Sequence, residues 1–250
     1  MQIKDYSERI DPHKESSGIV AIHLKRYVFA SDYCKGKKVL DAACGFGYGS
    51  FYLAREALSV VGVDISQKVI DHAKNEYQHK HLNFLQADVS HIEFLPESFD
   101  VICSFETIEH LQDVPSYLKE MTRVLKSDGV YIVSTPQVKK TNLGPNNPHH
   151  TIEFCKKDFI TLLSKYFKTI ELYGQRRKQS ELHYWITAIL SWTKLRGRLS
   201  RLNIIRNPMN AVLKTTPFHE MTLKDILITK DHLNRATELI AVCREPLKKL

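Results

Sequence analysis

Short apolar runs punctuate the first 140 residues at the spacing produced by strands separated by helices. They are KKVLD at 37–41, VVGVD at 60–64, LNFLQ at 82–86, FDVICS at 99–104 and VYIVS at 130–134. Between them the period lengthens to that of a helix. One helix starts within residues 50–55, and Val69, Ile70 and Ala73 share a face of another over 67–77. Asp113 before Val114-Pro115 reads as an N-cap with proline in the first turn. Leu118, Met121, Thr122 and Leu125 supply that helix's buried stripe, and Ser127-Asp128-Gly129 reads as the turn into the fifth strand. This alternation predicts an α/β fold: a Rossmann-like, doubly wound and mostly parallel sheet.

The pattern loosens beyond it. Pro136, Gly144, Pro145 and Pro148 make 135–151 a loop. Residues 156–167 read as a helix with Phe159, Ile160, Leu163 and Phe167 inward; 169–173 and 236–243 read as the last two strands. The roughly sixty residues between those strands are too many for a hairpin loop, so a helical insertion is expected over 176–233. With an N-terminal helical segment at 1–36 and a core at 37–136, the chain reads as one domain.

Hydrophobic residues at 43% and charged ones at 26% allow a full-sized core and exclude a disordered or collagenous chain. No apolar run approaches the length of a membrane span. The stretch MQIKDYSERIDPHKESSG lacks the apolar segment of a signal peptide, and the five cysteines never form a CxxC pair. A cytoplasmic protein with reduced thiols is the expectation. The net charge of +8 has an address: residues 176–214 hold nine Lys or Arg against Glu181 alone, so the remainder balances. Leu182, Trp185, Ile186, Ile189 and Leu190 give this segment an apolar face. It suits a helical lid, contact with an anionic membrane, a grip on a diphosphate, or RNA phosphates.

Chemistry concentrates in VLDAACGFGYGS, residues 39–50, where a strand, a glycine-rich turn and a helix start follow one another. Such a turn admits a ligand close to backbone N–H groups. A dinucleotide fingerprint beginning at Gly45 would need glycine at 50, which is Ser50. Asp41 at the strand end would repel a pyrophosphate and suits a cation. Asp64, ending the second strand, is placed to accept both hydroxyls of a ribose. Asp88, ending the third, is placed for the exocyclic amine of an adenine. Each aspartate alone could be a helix N-cap.

In VLDAACGFGYGS, VVGVDIS, LQADVSHI, FDVICSFETIEHL and LKSDGVYIVSTP the chain resembles the class I S-adenosylmethionine-dependent methyltransferases, over roughly residues 37–136. The resemblance implies a seven-stranded sheet with an antiparallel last strand. It also implies S-adenosyl-L-methionine as cofactor and in-line transfer of its methyl group. By it Asp41, Gly45 and Gly47 lie along the methionine moiety, Asp64 holds the ribose, and Asp88 with Val89 contacts the adenine. Ala43, Ile65 and Phe105 belong to the same cofactor site. Ala43 stands where the family often has glycine, and its methyl is expected to matter little.

FETIEHL, residues 105–111, should face the transferred methyl, and His110 is its candidate base. His150, in NPHHTIEF at 147–154, is the second candidate, in a loop expected over the strand ends. Both have a bland alternative: His110 bracing its helix, and a proline-rich lid with solvated histidines. HLKRYVFA at 23–30, ACGFGYGS, NPHHTIEF and ATELIAVC at 236–243 together look like a bacterial subgroup that modifies surface polysaccharides and sugars. That resemblance implies a sugar hydroxyl, free or in a glycan, as acceptor. Glu106, Glu109, His110 and His149 or His150 are also similar to the metal-dependent 2′-O-methyltransferases of small RNAs, whose set would take Mg²⁺ or Mn²⁺. No metal ligand is assigned from the sequence. A non-catalytic cofactor-binding scaffold docked through the basic insertion is the remaining alternative.

Overall fold

The structure, a computed structural model, describes residues 9–178 and 216–248 of the 250. The strands are β1 (Lys38–Ala42), β2 (Ser59–Asp64), β3 (Leu82–Gln86), β4 (Phe99–Phe105), β5 (Leu125–Val138), β6 (Phe154–Cys155), β7 (Phe167–Arg177), β8 (Ile226–Thr229) and β9 (Glu238–Pro246). The helices are α1 (Ser17–Cys34), α2 (Tyr48–Leu53), α3 (Gln67–Glu76), α4 (Val114–Val124) and α5 (Lys156–Leu163). The sheet order is β3-β2-β1-β4-β5-β9-β7-β8, with β6 beside β5. Strands β1 to β6 pair in parallel, and β9 runs antiparallel to both β5 and β7.

Period-2 alternation sorts the strand side chains onto two cores. Leu40, Ile102, Tyr131, Val133, Leu239 and Ala241 pack with Leu118 and Met121 of α4 and Phe159 and Leu163 of α5. Val39, Val101, Cys103, Ile132, Ile240 and Val242 pack with Tyr27, Ala30 and Cys34 of α1 and Leu53 of α2. Asp113 caps α4 as expected, its carboxylate accepting from the Ser116 N–H at 3.0 Å. A buried hydroxyl chain ties α4 to the strand ends. Tyr117 OH meets Tyr131 OH at 2.6 Å and donates to Ser104 Oγ at 2.7 Å, which donates to the Ala42 carbonyl at 3.1 Å.

Three expectations change. The described residues hold nine strands rather than seven, β6 and β8 being the additions. Ser127-Asp128-Gly129 lies inside β5, where pairing jumps from Phe99↔Leu125 to Val101↔Val130 and leaves the intervening residues as a bulge. The proposed insertion also begins too early and is not wholly helical: β7 runs on to Arg177, and β8 pairs with it from Ile226 to Thr229. Residues 179–215, with the Trp185 face and most of the basic cluster, lie outside the described residues. No helix among the described residues is long and apolar enough to cross a membrane.

Candidate active site

The sheet order reverses between β1 and β4, and the carboxyl ends of strands converge there on a crevice. Asp41 of β1 is fully buried. Its Oδ2 accepts from Ser50 Oγ at 2.5 Å and its Oδ1 from Tyr27 OH at 3.3 Å. Burial pushes its carboxyl up to about 7, against the pull of those two hydroxyls. Its hydrogen bonds therefore go to this chain's own side chains.

The turn after β1 takes left-handed backbone at Ala43, Gly45 and Gly47, with φ of 66°, 55° and 87°. At Ala43 the methyl carries the steric cost of that region, where glycine would sit without strain. Gly47 meets a second constraint, since a Cβ there would lie 2.7 Å from the Phe84 ring and 2.8 Å from the Ala73 methyl.

Asp64 ends β2 at 2% exposure and is saturated with donors. Gly45 N–H reaches Oδ2 at 3.1 Å and Ser66 N–H reaches Oδ1 at 3.0 Å. Arg9 forks onto the same carboxylate, Nη2 to Oδ1 at 2.9 Å and Nε to Oδ2 at 3.3 Å. Neither Asp64 nor Asp41 caps a helix: Ser66 caps α3 and Gly47 precedes α2. Next to Asp64, Ile65 is 61% exposed, an apolar side chain left on the lip of the crevice. Asp88 is exposed and accepts from the Ser90 N–H at 2.8 Å, while Val89 is buried. Phe105 is buried edge-on to Tyr27, their ring centroids 5.0 Å apart.

Beyond β4 the backbone turns at Glu106, φ 51°, whose Oε1 accepts from Ser134 Oγ at 2.7 Å. Glu109 is wholly buried, and burial, reinforced by the charge of Glu106, pushes its carboxyl well up. Its Oε2 accepts from Thr135 Oγ1 at 3.1 Å, while Oε1 has no hydrogen-bond partner. The Glu109 carbonyl accepts from Thr151 N–H at 2.7 Å and Thr151 Oγ1 at 3.0 Å, pinning the 142–155 loop against this turn. So His150 comes to His110, ring centroids 4.9 Å apart. His150 Nδ1 lies 3.0 Å from Glu153 Oε1, and His110 Nδ1 lies 3.1 Å from the His149 carbonyl. His149 takes part in this arrangement through its backbone.

Arg26 joins the site without a signal in the sequence. It is 1% exposed on α1 and donates from Nη2 to His23 Nδ1 at 2.8 Å. Nε and Nη1 are buried without a partner. Burial works against its charge, and Glu106 and Glu238 more than offset that. Burial in turn pushes Glu238 up to about 7. Nothing in HLKRYVFA marks Arg26 as inward, because arginine on a helix is ordinarily solvated.

Residues 40–133 match the family described as Methyltransferase domain. Over this segment the chain is similar to S-adenosylmethionine-dependent methyltransferases. A probable S-adenosylmethionine-dependent methyltransferase of Mycobacterium tuberculosis is 34% identical over 144 residues, 56% of this chain and 52% of that protein. A ubiquinone biosynthesis O-methyltransferase of Coxiella burnetii is 35% identical over 112 residues, 44% of this chain and 48% of that protein. The chain thus spans about half the length of the curated relatives it matches. Among solved structures, an S-adenosylmethionine-dependent methyltransferase from Thermotoga maritima superposes with a TM-score of 0.60 at 14% identity, over 91% of this chain and 92% of that one. The methyltransferase domain thus contains the glycine-rich turn, Asp41, Asp64, Asp88 and the Glu106–His110 turn. His150, Arg26 and Glu238 come from outside the matched segment.

Proposed function

We propose that the protein is an S-adenosylmethionine-dependent methyltransferase whose acceptor is a hydroxyl of a sugar, nucleotide sugar or other small molecule. The observation that carries the acceptor reading is the Glu109–His110–His150 group beyond the end of β4, a buried glutamate beside two half-buried histidines, one of them on a loop from outside the family segment. When bound, the cofactor supplies a methyl group on an electrophilic sulfonium. The residues present suit it. Asp64 would accept ribose hydroxyls in exchange for the Arg9 pair it now holds, exposed Ile65 offers an apolar surface to a base, and Asp88 is exposed. Arg26 Nε and Nη1, buried without a hydrogen-bond partner, can each take an acceptor oxygen. Asp41 orders Tyr27 and Ser50 and, through them, the turn that carries Gly45 and Gly47.

Transfer to a hydroxyl needs a group to take its proton. His110 and His150 are the candidates, each oriented through Nδ1 by an acceptor of this chain. Glu106 and Glu238 act electrostatically on the Arg26 guanidinium, and carboxylates near the site suit an acceptor rich in hydroxyls. The Coxiella relative, by name an O-methyltransferase, supports an oxygen acceptor.

The test is mass spectrometry of sugars, nucleotide sugars, phenols and short RNAs incubated with methyl-labelled cofactor. A mass gain on a sugar or small-molecule hydroxyl is expected, and a gain on RNA alone overturns the acceptor class. His150→Ala should lower turnover on the order of a hundredfold or more without changing affinity for S-adenosylhomocysteine. Full turnover in both His110→Ala and His150→Ala rules out the base role. Asp64→Ala should weaken S-adenosylhomocysteine binding by roughly tenfold or more in calorimetry, the loss of charge-assisted hydrogen bonds; unchanged affinity refutes the ribose assignment.

A further inference from the structure

We infer that Arg26, Glu106, Gln175 and Glu238 form a recognition subsite for neighbouring hydroxyl groups of an uncharged, sugar-like ligand. Arg26 comes from α1, Glu106 from the turn after β4, and Gln175 and Glu238 from β7 and β9. Gln175 and Glu238 are directly opposed across the β7–β9 ladder, so their side chains leave the same face of the sheet. Period two puts Glu238 on the face of Ile240 and Val242, which pack against α1. The Gln175 amide reaches that helix: its Nε2 donates to the Ile22 carbonyl at 3.0 Å, one turn before Arg26. Glu238 also opposes Pro136 near the end of β5, so the group stands at the same end of the sheet as Glu106.

Donors and acceptors both go unmet in this group. Arg26 Nε and Nη1 are buried donors with no acceptor, and Gln175 Oε1, on a side chain 1% exposed, is a buried acceptor with no donor. Leaving such atoms unmet is costly. Glu106 and Glu238 lie near enough to act on the guanidinium by charge, yet neither bonds to Nε or Nη1. One oxygen of each carboxylate is taken, Glu106 Oε1 by Ser134 Oγ and Glu238 Oε2 by Thr237 Oγ1, both at 2.7 Å. A ligand that completes the set must therefore accept from arginine and donate to glutamine and glutamate. An anion only accepts, and it would meet two carboxylates. An ammonium only donates, and it would meet the guanidinium. A hydroxyl does both through one oxygen, and neighbouring hydroxyls divide the contacts between them. The subsite's place in the reaction rests on the hydroxyl-acceptor reading, to which it adds that the recognised unit of the acceptor carries no charge.

The experiment uses the full chain saturated with S-adenosylhomocysteine at pH 8, above the value of about 7 to which burial raises Glu238. Saturation-transfer difference NMR reads the affinity of the methyl glycosides of glucose, galactose and mannose. Methyl glucuronoside and methyl 6-amino-6-deoxyglucoside are the anionic and cationic controls. At least one neutral glycoside is expected to bind, roughly tenfold or more tighter than either control. Glu238→Ala and Gln175→Leu should each weaken it by roughly tenfold, and Glu238→Gln should narrow the gap to the glucuronoside. Affinity for S-adenosylhomocysteine, read by calorimetry, should be unchanged in both Glu238 variants, with circular dichroism checking that they are folded. The subsite is overturned if no neutral glycoside binds, if the charged controls bind equally, or if folded Glu238→Ala binds as the parent does. Loss of S-adenosylhomocysteine affinity in the Glu238 variants also overturns it and gives the group to the cofactor. Glycoside binding that needs Glu238 but leads to no methylation upholds the subsite and removes the acceptor reading. Methylation of a glycoside with unaltered kcat/KM in Glu238→Ala does the reverse.

Discussion

Ala43 is the residue at which local preference and tertiary demand disagree most openly. Its φ of 66° suits glycine, and it lies on the turn between Asp41 and Gly45. Strain of this kind persists at functional sites because the surroundings impose it. Ala43→Gly removes a left-handed alanine worth about 1 kcal/mol while adding freedom to the unfolded chain. A net gain of a few tenths of a kcal/mol, about 0.6 kcal/mol at most, is expected. The measurement is thermal unfolding by calorimetry: a rise in melting temperature supports the strain, and a fall refutes it. Arg26 makes the complementary case. The helix that carries it has no strongly apolar stripe to announce a buried face, and only packing of α1 on α2 and β4 shows the guanidinium to be interior.

At the scale of elements, the N-terminal arm does what its composition does not foretell. Arg9 precedes α1 and lays a forked pair of hydrogen bonds on Asp64, the carboxylate assigned to a ribose. The arm and ribose hydroxyls compete for the same two oxygens. Arg9→Ala should therefore tighten S-adenosylhomocysteine binding, on the order of threefold to tenfold for one part-exposed charged pair; weaker binding in calorimetry would mean that Arg9 holds the cofactor instead. The cores of β1 to β4, α3 and α4 were legible in the sequence because each has a clean period and a cap, Ser66 on α3 and Asp113 on α4. β8 was not legible. Four residues, Ile226 to Thr229, carry too little pattern to stand out inside a long connection, and only pairing with β7 makes them a strand. The bulge in β5 was hidden for the same reason, since Ser127-Asp128-Gly129 has turn chemistry whether it ends a strand or bulges from one.

Over the whole molecule, buried carboxyls set an unusual pH dependence. Asp41 and Glu238 are both raised to about 7, and Glu109 is raised as well, by burial first in every case. The folded chain therefore binds more protons than the unfolded one between their ordinary values and about 7. Stability from these groups is complete below pH about 4 and is lost as pH rises through about 7. Glu171 acts oppositely: Lys230 and Arg244 pull it down to about 2, so its contribution is present at neutral pH and lost in acid. Melting temperature should accordingly fall from pH 5 to pH 8. Asp41→Asn should flatten part of that fall, on the order of 4 kcal/mol at most for a shift of this size; an unchanged slope would show that Asp41 titrates in its ordinary range. The charge of +8 also reads differently at this scale, because Arg176 and Arg177 lie in β7, the latter donating to the Thr216 carbonyl at 2.7 Å.

The sequence by itself determined the parallel half of the sheet, the glycine-rich turn, the strand-end aspartates and the family segment. All of these depend on residues near one another in the chain, where period, capping and turn chemistry operate. Tertiary structure alone decided what those residues touch. It brought His150 to His110 across 40 residues through the Thr151 clamp, placed Arg9 on Asp64, buried Arg26 among acids, and left one oxygen of Glu109 without a partner. Such contacts depend on how a loop or an arm folds back over the sheet, and no local pattern encodes that.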